Sequence, residues 1–361
     1  MPDRAAILAE AARLRGQFEA AGALPVETAV LQPAGTLLDL YGEDIRARAY
    51  ITSDALRGEQ MLRPDFTVPV VQMHMAHGAE PARYTYAGEV FRRQEDDADR
   101  ANEYIQVGFE IFARDDAARS DAEVFSTFHA LLAPLGLQPA TGDIGILMAA
   151  VDGLETSERR KAALRRHIWR PRRFRALIER FSGRAPVPAS RAELLAAKDP
   201  MAAAGPMIGL RGPEEVAARI AALREDAAMP PLSENDVALI EALLAVRGAS
   251  EDALEQLRDI AVDLPAIAPA VTRFAARLEA IGAQGIDAAA LPFEASYGRT
   301  QMEYYDGFVF GFTAPGRPDL PPVATGGRYD ALTRQLGAGR EIPAVGGVIR
   351  PGLTLELGAA T

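Results

Sequence analysis

Tyr84 to Phe112, YTYAGEVFRRQEDDADRANEYIQVGFEIF, is the stretch whose reading decides the fold of this chain. It divides into two strand-like runs around Arg92-Arg93-Gln94-Glu95-Asp96-Asp97-Ala98-Asp99-Arg100, a segment too polar for a core. Side chains alternate along a strand, so Gly88, Val90 and Arg92 share one face of the first run. Gln106, Gly108, Glu110 and Phe112 share one face of the second. The opposite faces carry Ala87, Glu89, Phe91 and Val107, Phe109, Ile111, a mostly apolar set that suits burial against helices. An Arg, a Gln and a Glu directed into one small volume can hold a zwitterion, with carboxylates meeting an ammonium and guanidinium meeting a carboxylate. Gly88 and Gly108 favour this reading, because they leave room above the sheet. A solvated hairpin face fits the same alternation.

Length and composition narrow the rest. A chain of 361 residues is too long for one ordinary core and points to two domains, or one large domain with an insertion. A formal charge of -11 favours solubility and argues against a broad nucleic-acid surface, while leaving room for a local basic groove. The absence of cysteine excludes disulfides, a thiolate nucleophile and Cys-based zinc sites. The histidines are His74, His77, His129 and His167, and none belongs to a HExxH array. His74 and His77 share a helical face but lack an acidic ligand set, so no metal or cofactor is expected. No basic-apolar signal sequence opens the chain and no apolar run reaches the ~18 residues of a membrane span, so a soluble cytoplasmic protein is expected.

Around the central stretch, Pro2 to Ala21 reads as an amphipathic helix ended by Gly22, with Ile7, Leu8, Ala11, Leu14 and Phe18 on one side. Val26 to Gln32 reads as a strand, Thr36 to Tyr41 as a short helix and Arg46 to Thr52 as another strand. Leu62-Arg63-Pro64-Asp65-Phe66-Thr67 is an extended turn leading into a helix to His77, with Arg63 biased to extended backbone by Pro64. Asp65 and Thr67 there suit ligand contacts, and Thr67 equally suits a helix cap. Ser120 to Leu135 reads as a helix. Strand signals then fade, and six helical patterns occupy about Asp152 to Ala280. Arg159, Arg160, Lys161, Arg165, Arg166, Arg170, Arg172 and Arg173 form a basic run in this block, read either as a solvated helix face or as a docking surface for an acidic partner or phosphates. Strands return after Leu291, with Gly307 to Thr313, a Gly-rich turn Ala324 to Asp330 ahead of a helix to Leu336, and Val345 to Ile349. The expected fold class is α+β: one mixed, mainly antiparallel sheet flanked by helices, formed jointly by residues 1–150 and 285–361 and interrupted by a mainly helical subdomain at 151–284.

These motifs, in this order, resemble the catalytic domain of class II histidyl-tRNA synthetases, and most closely their non-synthetase relatives, the regulatory subunits of ATP phosphoribosyltransferase (HisZ family). The resemblance runs from Leu31 to about Leu353. It implies a class II fold whose pocket holds free histidine. Asp65, where synthetases usually carry Glu, and Thr67 would contact the amino group. Arg92 would take the carboxylate, and Gln106 and Glu110 belong to the histidine pocket. The histidine-specific segment falls on Glu303-Tyr304-Tyr305-Asp306-Gly307, whose Tyr304 and Tyr305 would line the imidazole side. Arg100 matches a second loop arginine. Arg299 and the pair Gly326 and Gly327 fall at secondary pocket positions.

Two departures argue against amino-acid activation. Thr300 falls where synthetases place the arginine that stabilises charge at the α-phosphate, and the neighbouring Arg299 would face the other way along a strand. Leu353 falls where an arginine stacks on adenine, and Arg350 would reach that place only after a backbone shift. One positioned cation is worth roughly 3 kcal/mol, about a hundredfold in rate, at a developing phosphoryl charge. The chain also ends soon after the third motif, so no anticodon-binding domain is expected and tRNA is an unlikely substrate. The resemblance therefore implies a non-catalytic regulatory subunit in the first step of histidine biosynthesis. It would be required by a separate short-form catalytic subunit, take part in feedback inhibition by histidine, and form homodimers within a hetero-octamer of four of each chain. The alternatives are a histidine-activating enzyme with a non-tRNA acceptor and an assembly scaffold with a vestigial pocket.

Overall fold

The computed structural model describes residues 2–35, 45, 47–94, 100–202, 205–206, 208–300 and 303–358. The strands, numbered in chain order, are β1 (Leu24–Pro25), β2 (Leu31–Pro33), β3 (Ile51–Asp54), β4 (Gly58–Leu62), β5 (Ala82–Phe91), β6 (Glu103–Phe112), β7 (Gln138–Asp143), β8 (Arg247–Ala249), β9 (Pro292–Glu294), β10 (Phe308–Thr313), β11 (Ala324–Arg328) and β12 (Ala344–Ile349). Nine of them form one sheet in the order β1-β5-β6-β12-β11-β10-β7-β9-β8, and β2-β4-β3 form a small antiparallel sheet beside it. Within the large sheet β1–β5 and β7–β9 run parallel, and the other pairs are antiparallel. This is the mixed, mainly antiparallel architecture that the alternation predicts.

β5 and β6 pair Gly88 with Gln106, Tyr86 with Gly108 and Tyr84 with Glu110, which sets the expected polar positions on one face. Beneath them, Val107, Phe109 and Ile111 pack with Leu14 and Phe18 of the first helix, Arg4–Ala20. Phe18 and Phe109 stack at 5.2 Å between ring centres. Helix Ala117–Leu132 covers the same face further along, where Phe125 packs on Phe308, Phe310 and Phe312 of β10. The two helices begin in the same way, with Asp3 accepting from the Ala6 amide at 2.8 Å and Asp116 from that of Arg119 at 2.9 Å.

The 151–284 block holds the expected helices, including Glu158–Arg166, Pro171–Phe181 and Ala268–Gly282, with an additional one at Ala189–Ala196. It also contributes β8, the edge strand of the sheet, whose three residues are too few for a period to show. Several members of the basic run are paired within the block, and Arg170 is paired outside it. Arg160 is buried, donating to Asp226 at 2.7 Å and to the Pro230 carbonyl at 2.7 Å. Arg165 pairs with Asp152 and Glu158, and Arg170 with Glu303 at 2.9 Å. A buried ion network ties the last helix of the block to the sheet: Arg277 meets Asp143 at 2.8 Å and Asp121 at 3.4 Å, while Arg328 meets Asp121 at 2.7 Å and Asp330 at 3.0 Å.

Three local readings are corrected, and one strand is added. Ala324 to Arg328 is not a turn but the interior strand β11, because its glycines sit under aromatic rings of neighbouring elements. Described residues of 45–48 are helical and the strand there starts only at Ile51. Val26 to Gln32 is not one strand; β1 ends before it at Pro25, and β2 takes up only Leu31 and Gln32 of it. β7, rich in Pro, Thr and Gly, forms without an apolar alternation because β10 supplies its ladder from Gln138 to Asp143. The helix expected at Thr36 to Tyr41 lies outside the described residues.

Candidate amino-acid pocket

Glu110 is wholly buried at the centre of the sheet and surrounded by hydroxyls. The Thr67 hydroxyl and the Tyr86 phenol donate to Oε1 at 3.1 and 2.8 Å, and the Tyr329 phenol donates to Oε2 at 2.5 Å. Thr67 begins helix Thr67–His77 yet spends its hydroxyl on Glu110, so it does not cap the helix. Burial raises the Glu110 carboxyl to about 7; the three donors pull it down and the Asp65 charge pushes it up further. The register of β12 places Gly346 opposite Glu110, where a Cβ would lie 1.4 Å from Oε2, so only glycine admits this carboxylate. One strand further, Gly327 seats the ring of Tyr305, 2.7 Å from where its own Cβ would be.

A second carboxylate, Asp65, is also buried. Tyr304 donates to its Oδ2 at 3.4 Å, and the Arg92 guanidinium stands 3.5 Å from the same oxygen. Arg92 is anchored by donating to the Pro64 carbonyl at 2.7 Å, which fixes it beside the extended turn the sequence predicts. Tyr304 and Tyr305 meet edge to face at 4.8 Å and Tyr304 and Tyr329 at 6.1 Å, building an aromatic wall. Gln106 lies buried on the same sheet face, and its amide oxygen has no partner among the described residues. Asp65, Thr67, Arg92, Glu110, Tyr304 and Tyr305 are thus brought together. Two carboxylates, one guanidinium and phenolic walls suit a small zwitterion with an extra basic group.

Other residues go elsewhere. The space above Gly88 and Gly108 is taken by the protein itself: a Cβ on Gly88 would meet the Arg63 guanidinium at 2.7 Å, and one on Gly108 the Tyr86 ring at 2.1 Å. Gly326 faces the opposite side of the sheet, against Phe310. Arg100 donates to the Asp319 carbonyl at 2.6 Å. Arg299 turns to the helical block, donating to the Ile168 carbonyl at 2.8 Å. Arg350 lies over Tyr104, 5.3 Å from the ring centre. His74 is structural, stacked on Phe112 at 4.0 Å with Nδ1 3.1 Å from the Tyr84 hydroxyl. Tyr86 and Tyr329 are site residues that sequence reasoning missed. Alternation from Gly88 points to Tyr86, and Tyr329 lies in the Gly-rich segment Ala324 to Asp330 without being picked out from it. Two cavities of about 580 and 530 Å³ open near Ser126 and His129 and near Arg247 and Tyr297, at the other end of the sheet.

Comparison with known proteins agrees with this fold. The family described as histidyl-tRNA synthetase matches residues 1–204 and 217–351. Among solved structures, an ATP phosphoribosyltransferase regulatory subunit/histidyl-tRNA synthetase from Bacillus halodurans superposes with a TM-score of 0.69 at 21% identity, covering 99% of this chain and 81% of that one. A histidyl-tRNA synthetase from Nostoc gives 0.64 at 18% identity, covering 98% and 72%. Fold and pocket together define a class II histidyl-tRNA synthetase-like domain. An ATP phosphoribosyltransferase regulatory subunit from Brucella anthropi is 33% identical over 357 residues, 92% of this chain and 93% of the relative, and one from Brucella canis is 32% identical over the same shares. The chain belongs to the family of ATP phosphoribosyltransferase regulatory subunits.

Proposed function

We propose that this chain is the non-catalytic regulatory subunit of an ATP phosphoribosyltransferase in histidine biosynthesis, and that its class II pocket binds free histidine as the feedback signal. The observation that carries the histidine reading is the uneven charge of the pocket: Glu110 is buried among three hydroxyls with no cation on it among the described residues, and Asp65 stands beside the Arg92 guanidinium. In this reading Glu110 and Asp65 hold the ammonium and the imidazole, Thr67 and Gln106 add hydrogen bonds, Arg92 takes the carboxylate, and Tyr304 and Tyr305 flank the ring. Gly327 acts by seating Tyr305. Arg299 turns away from the pocket, and Thr300 carries no charge to assist phosphoryl chemistry, which supports binding without activation.

The working assembly is a cytoplasmic hetero-octamer, built on homodimers of this chain with a short-form catalytic subunit as partner and no role for tRNA. Residues 1–150 and 285–361 form the binding domain and residues 151–284 a subdomain. Among the described residues no helix is long and apolar enough to cross a membrane. Feedback requires that histidine bind one arrangement of the complex more tightly, typically by about 1–3 kcal/mol. Isothermal titration of histidine into the wild type and the Glu110→Ala and Arg92→Ala variants tests the pocket. Both variants are expected to lose most of the affinity, and unchanged affinity in both overturns the assignment.

A further inference from the structure

A second charged cluster lies where the helical block meets the sheet domain. Helix Pro171–Phe181 has no acidic residue in its first turn, and Arg170 at its N-cap makes no side-chain cap. Instead Arg172, Arg173 and Arg175 crowd its opening turns. Cations there oppose the helix dipole, whose N-terminal end already carries about half a positive charge. No ion pair to Arg172 or Arg175 occurs among the described residues. Behind this end sits Arg299, only 5% exposed, with its guanidinium carbon 4.9 Å over the Phe174 ring. Its Nε is held by Ile168, but Nη2 is buried with no acceptor among the described residues. The Trp169 indole N–H, in the same segment, is also buried without an acceptor. Burial and the Arg175 charge lower the Arg299 pKa to about 10.

Guanidinium and indole nitrogens only donate, so what satisfies them must accept, and the surrounding like charges favour an acceptor that is negative. We propose that the entry of helix Pro171–Phe181, with Arg299 as its inner wall, binds the phosphate group of a small molecule. Phosphate fits better than carboxylate, since its oxygens can accept from free helix amides and from a guanidinium at once. The site is separate from the amino-acid pocket, but the Arg170–Glu303 pair links it to the segment carrying Tyr304 and Tyr305.

Trp169 is the only tryptophan of the chain and reports on the site directly. Its fluorescence in the full chain is titrated with inorganic phosphate, pyrophosphate and acetate at constant ionic strength. A saturable change with phosphate or pyrophosphate, absent with acetate, is expected. The exposed double variant R172A/R175A should weaken it roughly tenfold or more, without depending on the buried Arg299 for folding. Arg299→Lys should bind more tightly than Arg299→Met, with circular dichroism confirming that both are folded. No saturable response in the wild type, an equal response to acetate, or undiminished binding by R172A/R175A overturns the proposal.

Discussion

Two buried polar clusters in this molecule solve opposite problems. Around Asp121, each guanidinium sits between carboxylates: Arg277 bridges Asp143 and Asp121, and Arg328 bridges Asp121 and Asp330 while also donating to the Ala117 carbonyl at 2.9 Å. Around Glu110, the carboxylate meets only phenols and a hydroxyl, and among the described residues no cation reaches it. The first cluster sets two guanidiniums among three carboxylates and fastens the helical block to the sheet. The second is satisfied in hydrogen bonds but not in charge, so burial lifts the carboxyl toward neutrality. A cluster that holds its own counter-ions supports structure, while one with no cation among the described residues suits the cationic ligand proposed above.

The comparison breaks most visibly at Arg277. Arg277→Met leaves the buried Asp143 without its cation, while Asp121 keeps Arg328, and is expected to cost about 3–5 kcal/mol in urea unfolding. A loss below about 1 kcal/mol would show that this network is not a matched one. The next effect lies in the pH dependence. Glu110 moves from 4.5 to about 7 on folding, so the folded state takes up the proton more readily. Its contribution is fully present below about pH 4.5 and is lost as pH rises through 7, a fall of about 3 kcal/mol across that window. Asp306, raised from 3.8 to about 7 by burial and by Asp330, slopes the same way. Urea midpoints at pH 5 and pH 8 should therefore converge in Glu110→Gln relative to the wild type, and parallel slopes would rule out Glu110 as the titrating group. The smallest effect is that of Tyr329→Phe, which removes one donor from the ionised carboxylate. It should cost about 1.5 kcal/mol at pH 8, less at pH 5, and shift the Glu110 titration upward; a cost independent of pH would place the role of Tyr329 in packing alone.

Much of this was legible in the sequence. Alternation over Tyr84 to Phe112 sets which face of β5 and β6 carries Arg92, Gln106 and Glu110, because a strand offers its side chains only two sides. Pro64 marks the extended approach to Asp65. The meaning of the glycines was not legible. Gly88 and Gly108 read as space for a ligand, yet Arg63 and Tyr86 occupy it, and Gly346 and Gly327, which do shape the pocket, look no different in sequence. Which atom approaches a missing Cβ depends on strands far apart in the chain. The same holds for the basic run, where Arg160 finds Asp226 from another helix and Arg170 finds Glu303 beyond the helical block.

The sequence by itself determined the elements, their hydrophobic sides and the order of motifs that ties this chain to its family, because these depend on local periodicity and spacing. Only the tertiary structure decided which buried carboxylates have a cation beside them and which have only hydroxyls. Residues as distant as Thr67, Tyr86 and Tyr329 converge on Glu110. The balance of charge in a buried volume is a sum over everything packed there, and no single stretch of chain carries that sum.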